Sequence, residues 1–203
     1  SVAMLTLHGA VSLSGKTIGL VQERAQRAAL GAGVTTAILF AIGGLWARSL
    51  DGYVITSMID PNGPSNPLAK QIARQAGALF VNYGLMPITM LVPVLGLVGV
   101  IGAGLLARSG RAPRLAWFIS AVGIAGIIGA AGVSLFPLLL PSSLEPNSSL
   151  AVWDASSSKL TLGVMTAVTA ILLPIVIVYT SWVYRVLRGP VTAKQISTDS
   201  HSY

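Results

Sequence analysis

The chain has 203 residues, of which 53% are apolar and only 9% are charged, and its formal net charge is +7. Soluble domains carry about 25% charged residues, so this composition excludes an ordinary water-soluble protein. The chain contains no cysteine, which excludes disulfides, thiolate metal sites and cysteine nucleophiles. We therefore expect an all-α integral membrane protein.

Charge-free stretches predict where the chain crosses the membrane, because a charged residue at a helix centre costs about 2.5 to 3.5 kcal/mol on the insertion scale. One crossing needs about 20 apolar residues. Four stretches reach that length, and a shorter one precedes Lys16. We expect the first helix to be a truncated span, with an interfacial segment as the alternative, and the chain to be the C-terminal part of a longer protein. The predicted spans are about 1–20, 29–50, 77–107, 114–140 and 158–186.

Basic residues indicate the orientation, since cytoplasmic loops are enriched in Lys and Arg. Alternating loops place nine of the thirteen Lys and Arg residues on one side, which we expect to be cytoplasmic together with the C-terminus. This distribution accounts for the basic pI of about 10.3 without nucleic-acid binding. The nine residues are Lys16, Arg24, Arg27, Arg108, Arg111, Arg114, Arg185, Arg188 and Lys194.

Two polar loops on the opposite, outer side carry turn and capping residues. In the first loop, Asn66 followed by Pro67 predicts an N-cap and the first residue of a short surface helix. In the second loop, Asp154 or Ser156 is expected to cap the last span.

Glycines recur every three to four residues in the third and fourth charge-free stretches, and so mark one face of each helix. Small residues let helix backbones approach closely in lipid. We expect both helices to pack tightly, and contact with each other is one way to achieve this. The glycines are Gly96, Gly99, Gly102, Gly104, Gly123, Gly126, Gly129 and Gly132.

Few residues suggest chemistry inside the membrane. The chain has two histidines, His8 and His201, and His201 lies in the polar tail, so this stretch alone cannot hold a bis-histidine haem. We interpret His8 as a polar residue that is hydrogen-bonded inside the bundle, with a ligand role as the alternative. Asn82 and Tyr83 are interpreted as interfacial anchors, again with a ligand contact as the alternative.

Motifs in the outer loops closely resemble subunit II of the cytochrome bd quinol oxidases, and the matches keep order and spacing across nearly the whole chain. The most specific string is Trp153-Asp154-Ala155-Ser156-Ser157-Ser158, which is followed by further matching residues in the last span. The other matching segments are Asp51-Gly52-Tyr53-Val54, Ser65-Asn66-Pro67-Leu68, Phe136-Pro137, Pro141-Ser142-Ser143, Leu160-Thr161-Leu162, Met165-Thr166, His8-Gly9-Ala10 and Lys16-Thr17.

This resemblance implies a respiratory enzyme that oxidises ubiquinol or menaquinol and reduces dioxygen to water in the inner membrane of a bacterium or archaeon. It implies a heterodimer with subunit I, which carries haems b and d, while this chain is haem-free. A small third subunit, quinol, a bound quinone and membrane lipid are the further partners that it allows. Half of a secondary membrane transporter is the alternative function.

The resemblance also implies an architecture of four-helix bundles and a last peripheral helix. Residues 1–150 would form the second four-helix bundle, and residues 151–203 the peripheral transmembrane helix and a cytoplasmic tail. We expect no catalytic, cofactor-binding or metal-binding residue in this chain. Outer-loop residues are instead expected to brace the outer face through capping and interface hydrogen bonds. These candidates are Asp51, Gly52, Tyr53, Asn66, Pro67, Pro137, Trp153, Asp154, Ser156, Ser157 and Ser158.

Overall fold

The computed structural model describes residues 1–59 and 66–186. Within these residues the protein is all-α and of the integral membrane type, with four packed helices in a bundle and a further long helix that contributes no buried residue. In this part of the chain, four helices are long and apolar enough to cross a membrane, which confirms the predicted fold class. The helices are α1 (Val2–Ser14), α2 (Leu20–Ala47), α3 (Val81–Leu85), α4 (Leu91–Ser109), α5 (Pro113–Leu135), α6 (Val152–Ala155) and α7 (Lys159–Val186).

Prolines change the bounds of two spans relative to the prediction. The expected span 77–107 begins as the separate short helix α3 and continues through a 3-10 turn at Pro87–Met90 into α4. Met86 is not helical (φ −131°, ψ 82°), because the α region is disfavoured for a residue before proline, and this interrupts the helix. The expected span 114–140 ends at Leu135, shortly before Pro137, because proline offers no N–H to continue the helical hydrogen bonds.

Helices α4 and α5 pack on each other through glycines. A Cβ atom at Gly99 would lie 2.5 Å from Cα of Gly123, and a Cβ atom at Gly126 would lie 2.5 Å from N of Gly96. Any side chain at these positions would overlap the opposite backbone, so glycine is required for this approach. The expected tight packing of the two glycine-marked helices is confirmed, and they pack on each other.

The other glycines do not all belong to this contact. A Cβ atom at Gly104 would lie 3.2 Å from the carbonyl oxygen of Ala29 in α2, and one at Gly132 would meet no atom within 4 Å. The glycine repeat therefore extends beyond the contact between α4 and α5. Gly104 allows α4 to approach α2 as well.

Helix α1 completes the bundle by lying against α2, α4 and α5. Leu7 and Val11 of α1 are buried together with Val100 of α4, while alanines from the neighbouring helices fill the space around them. Small side chains thus dominate the core, as expected where van der Waals contact between close helices replaces the hydrophobic effect.

Among the described residues, four short strands occur in the loops at one end of the bundle, and none of them was predicted. Strand β1 (Asp51–Ile55) pairs antiparallel with β2 (Ile72–Ala76), and β3 (Leu138–Leu140) pairs antiparallel with β4 (Leu150–Ala151). We call this end of the bundle the hairpin end. The opposite end, which carries the turns at residues 15–19 and 110–112, is called the turn end.

Helix α7 runs from the hairpin end to the turn end. Nζ of Lys16, in the turn after α1, lies 6.0 Å from the centre of the Tyr184 ring in the last turns of α7. The end of α7 is thus at the same level as the turn between α1 and α2.

Candidate functional site at the hairpin end

The two loops of the hairpin end are bound to each other. The backbone N–H of Ile72 in β2 donates to Oδ1 of Asn147 at 2.8 Å, and a guanidinium N–H of Arg74 donates to the carbonyl oxygen of Ser143 at 2.8 Å. Ile72 also packs with Leu138 and Ala151 in a small apolar cluster against which Tyr53, Ile55 and Trp153 lie. The strands therefore form one layer over the end of the bundle.

A buried ion pair joins the same two loops. Nζ of Lys70, just before β2, lies 2.5 Å from Oδ2 of Asp154 in α6. Oδ2 of Asp154 also accepts a hydrogen bond of 3.0 Å from the backbone N–H of Ala151, at the start of α6. The carboxylate thus lies at the N-terminus of α6, where negative charge is favourable. Nothing in the sequence around Lys70 indicates this pair.

Asn82 in α3 supplies a hydrogen bond that the end of α5 would otherwise lack. The carbonyl oxygen of Val133 is four residues before Pro137, which has no N–H to donate to it. The side-chain amide of Asn82 donates to this oxygen at 2.8 Å and to the carbonyl oxygen of Phe136 at 2.5 Å. An amide from a neighbouring helix therefore satisfies the orphan carbonyls at the end of α5.

Tyr83 binds the same helix one turn earlier. Its hydroxyl donates to the carbonyl oxygen of Ala130 at 2.9 Å and contacts Oγ of Ser134 at 3.3 Å, and the residue is only 7% exposed. The expected interfacial anchor is therefore a buried contact between α3 and α5.

A pocket of about 320 Å³ opens between this layer and the end of the bundle. Three of the candidate residues line it, namely Tyr53, Pro137 and Trp153. Phe136 lies between them, with its ring centre 6.4 Å from that of Trp153. The other lining residues are Val54, Ile55, Ser57, Ile59, Ala78, Val81, Asn82 and Leu85.

The candidate residues of the first loop lie at the hairpin end. Asp51 is exposed at the start of β1, and a Cβ atom at Gly52 would lie 2.7 Å from Cβ of Ala78. Oδ1 of Asn66 accepts from the N–H of Leu68 at 3.0 Å, so Asn66 caps a helix as predicted. That helix is a single 3-10 turn, Pro67–Ala69.

The serines after α6 correct one prediction. Asp154 caps α6 and Ser156 bonds to its last turn through its backbone N–H, so neither caps the last span. Oγ of Ser158 instead accepts from the backbone N–H of Thr161 at 3.3 Å, at the start of α7. Ser157 is exposed.

A second polar site lies inside the bundle. Nδ1 of His8 is 2.7 Å from Oγ of Ser120 in α5, and its ring centre is 5.5 Å from that of Trp117. His8 is thus a hydrogen-bonded polar residue inside the bundle, as interpreted from the sequence. In residues 1–59 and 66–186, no three His, Asp or Glu side chains are grouped so that they could hold a metal ion. His201 lies outside the described residues.

Comparison with known proteins gives a match along almost the whole chain. A family model described as cytochrome bd terminal oxidase subunit II matches residues 1–187. The chain is 40% identical, over all its 203 residues, to cytochrome bd-I ubiquinol oxidase subunit 2 of Escherichia coli strain K12, and these residues cover 53% of that protein. It is 38% identical over 202 residues to a probable cytochrome oxidase subunit 2 of Haemophilus influenzae, with the same 53% coverage. The chain thus spans about half the length of these relatives.

Proposed function

The chain belongs to the cytochrome bd terminal oxidase subunit II family, and on this basis we propose that it forms part of a quinol oxidase that reduces dioxygen to water. The observation that carries this proposal is the family match over residues 1–187. The name of the Escherichia coli relative specifies ubiquinol as its substrate. The spans place the enzyme in a membrane, which we propose is the cytoplasmic membrane of a bacterium or archaeon.

We propose that this chain holds no haem, and that haems b and d lie on a partner, subunit I. The sequence supports this, since His8 is the only histidine outside the polar tail. Quinol and haem chemistry are therefore assigned to the assembled complex, together with any third subunit and bound quinone.

The role proposed for this chain is to support a complex in which electrons and protons move. The hairpin end serves that role by fixing the end of α5 and the start of α7. Asp154 fixes the start of α6 through Ala151 and binds Lys70, while Trp153 packs against the apolar cluster of the strands. Asp51 and Tyr53 contribute through strand β1, whose partner β2 begins two residues after Lys70.

Co-purification tests the proposed function. The complete subunit that contains this region is tagged, expressed with its neighbouring genes and purified in mild detergent. Reduced-minus-oxidised spectra should show b and d haems in the purified complex, and quinol should reduce dioxygen. A complex without haem that moves a solute across vesicle membranes would instead support the transporter alternative.

The bracing role needs its own variant. The double replacement of Trp153 and Asp154 by alanine should lower the yield of the assembled complex and its haem content, because it removes the ion pair and the aromatic packing together. Replacement of Ser157, which is exposed in the same motif, by alanine is the matched control and should leave both unchanged. Normal assembly of the double variant would exclude the bracing role while leaving the oxidase assignment intact.

A further inference from the structure

We propose that the pocket at the hairpin end binds an anionic phospholipid from the adjoining leaflet. Its headgroup would lie in the pocket, and one acyl chain would follow the surface at Leu85 and Ile88. This inference rests on the pocket and on the membrane location of the chain, and it does not depend on the proposed oxidase activity.

The position of the pocket is that of a lipid headgroup. Its lining includes Leu85, just before the span Pro87–Ser109, and Pro137, just after the span Pro113–Leu135. The ends of apolar spans mark the boundary between the hydrocarbon and the headgroup region. The pocket therefore crosses that boundary, where an amphipathic molecule is most stable. Aromatic residues such as Tyr53 and Trp153 are also typical of this level.

The polar lining offers hydrogen bonds that the protein leaves unused. Both hydrogens of the Asn82 amide are donated to α5, so its Oδ1 remains as an acceptor. Within residues 1–59 and 66–186, neither this oxygen nor the Tyr53 hydroxyl has a hydrogen-bond partner. A headgroup that carries hydroxyl groups, such as glycerol, can donate to Asn82 and exchange hydrogen bonds with Tyr53.

A cation beside the pocket gives the site its preference for negative charge. Cζ of Arg74 lies 5.6 Å from the centre of the Tyr53 ring, whose side chain lines the pocket. One guanidinium N–H binds the carbonyl oxygen of Ser143, and the others remain available for a phosphate. Arg74 is exposed, so it can reach a phosphate at the pocket mouth without loss of an internal ion pair. Arginine also matches phosphate oxygens in geometry.

The surface below the pocket suits an acyl chain. Leu85, Met86 and Ile88 are 74%, 58% and 70% exposed, in the segment where α3 gives way to the third span. These side chains lie next to the pocket in sequence and on the hydrocarbon side of it. A chain that leaves the pocket thus meets apolar surface at once.

Photo-crosslinking with defined lipids tests the proposal. The complete subunit, within its complex, is placed in vesicles that contain phosphatidylethanolamine and a trace of phosphatidylglycerol with a diazirine near the glycerol end of one chain. Mass spectrometry of the peptides should place label at Val81, Leu85 and Ile88 in preference to the exposed face of α7. The same probe built on phosphatidylcholine should label these residues less.

Variants give the quantitative result. Arg74→Gln should reduce labelling of the pocket about fivefold, the effect expected of one basic residue at an anionic surface, and Arg74→Lys should restore most of it. Arg48→Gln is the matched control, since Arg48 is also exposed at the end of α2 near the hairpin end, and it should change labelling by less than about twofold. Val81→Phe, which fills the pocket, should also reduce labelling.

Four results would overturn the proposal. Equal labelling by the two lipid probes would show ordinary annular lipid, and so would label spread evenly along α7. Unchanged labelling in both Arg74→Gln and Val81→Phe would show that the headgroup does not lie in the pocket. Label found on a partner subunit and absent from Val81, Leu85 and Ile88 would show that protein occupies the space instead.

Discussion

Nζ of Lys70 and Oδ2 of Asp154 lie 2.5 Å apart, and the two side chains are only 2% and 6% exposed. A buried ion pair stabilises a fold only while both charges are present, because removal of one charge leaves the other desolvated and uncompensated. Here the pair joins the segment before β2 to the short helix that precedes α7. The geometry at the start of the last span therefore depends on two residues from loops that are distant in sequence.

Removal of either charge should destabilise the protein, and removal of both should destabilise it by less than the sum of the two single effects. Lys70→Met or Asp154→Leu alone should lower the free energy of unfolding by about 3 to 5 kcal/mol, whereas the double variant should lose less than the sum. Thermal unfolding of the purified complex in nanodiscs measures all three. Strict additivity would mean that the two charges do not stabilise each other.

Asn82 should be essential for the end of α5. Asn82→Leu leaves the carbonyl oxygens of Val133 and Phe136 without donors, and we expect a loss of about 1 to 3 kcal/mol. Asn82→Asp should cost more, because a carboxylate would face both oxygens. Tyr83→Phe is the comparison, since Ala130 lies inside α5 and its carbonyl keeps a helical partner, and the loss should be about 1 kcal/mol or less. The same unfolding assay measures the stability of both variants. A Tyr83→Phe variant that is less stable than the Asn82→Leu variant would contradict the prediction.

The α4–α5 contact should tolerate no added methyl group. Gly99→Ala places a Cβ atom 2.5 Å from Cα of Gly123 and should destabilise the bundle by about 1 to 3 kcal/mol. Gly132→Ala in the same helix pair meets no atom within 4 Å and should be neutral or stabilising, because alanine favours helix by up to about 1 kcal/mol. Equal effects at the two positions would show that the helices are farther apart than described.

His8 should have a defined tautomer when its ring is neutral. The Ser120 hydroxyl donates its hydrogen to the carbonyl oxygen of Trp117 at 2.7 Å, so Oγ can only accept from His8. Nδ1 of His8 therefore carries the hydrogen. Solid-state ¹⁵N spectra of a His201→Ala variant, which removes the other histidine of this chain, should show a protonated Nδ1. Ser120→Ala should shift that signal, and a protonated Nε2 in the unmodified chain would contradict the assignment.

The orientation can be measured with single cysteines, since this chain has none of its own. Arg111→Cys lies at the turn end and Glu145→Cys at the hairpin end, and both positions are exposed. With any other cysteines of the complex replaced, an impermeant maleimide should label Glu145→Cys in intact spheroplasts and Arg111→Cys only after lysis. The reverse pattern would place the C-terminal end of α7 on the outer side.

Charge and small residues predicted the spans and the α4–α5 contact because both signals are local. A missing charge marks lipid depth, and a glycine repeat marks a helix face whatever lies opposite. The strands at the hairpin end gave no such signal, since β1 and β2 are five residues each and lack a regular alternation of apolar and polar residues. Their stability comes from contacts between the two loops.

The sequence pointed to several residues of the hairpin end but not to the contacts between them. The motif around Trp153 was identified from the resemblance, yet its ion-pair partner Lys70 lies in the other loop with nothing nearby in sequence to indicate the pairing. Asn82 was interpreted as an interfacial anchor from its expected depth in the membrane. Its actual partner is set by Pro137, and only the folded chain brings the two together.

The burial of Lys70 also sets an order of events during synthesis. The ribosome makes Lys70 well before Asp154, so the lysine must stay hydrated at the membrane surface while α4 and α5 are inserted. The hairpin end can close only after the second loop has been translated, immediately before the last span leaves the ribosome. A nascent chain arrested before Asp154 should therefore expose Lys70 to amine-reactive reagents, whereas the finished protein should protect it.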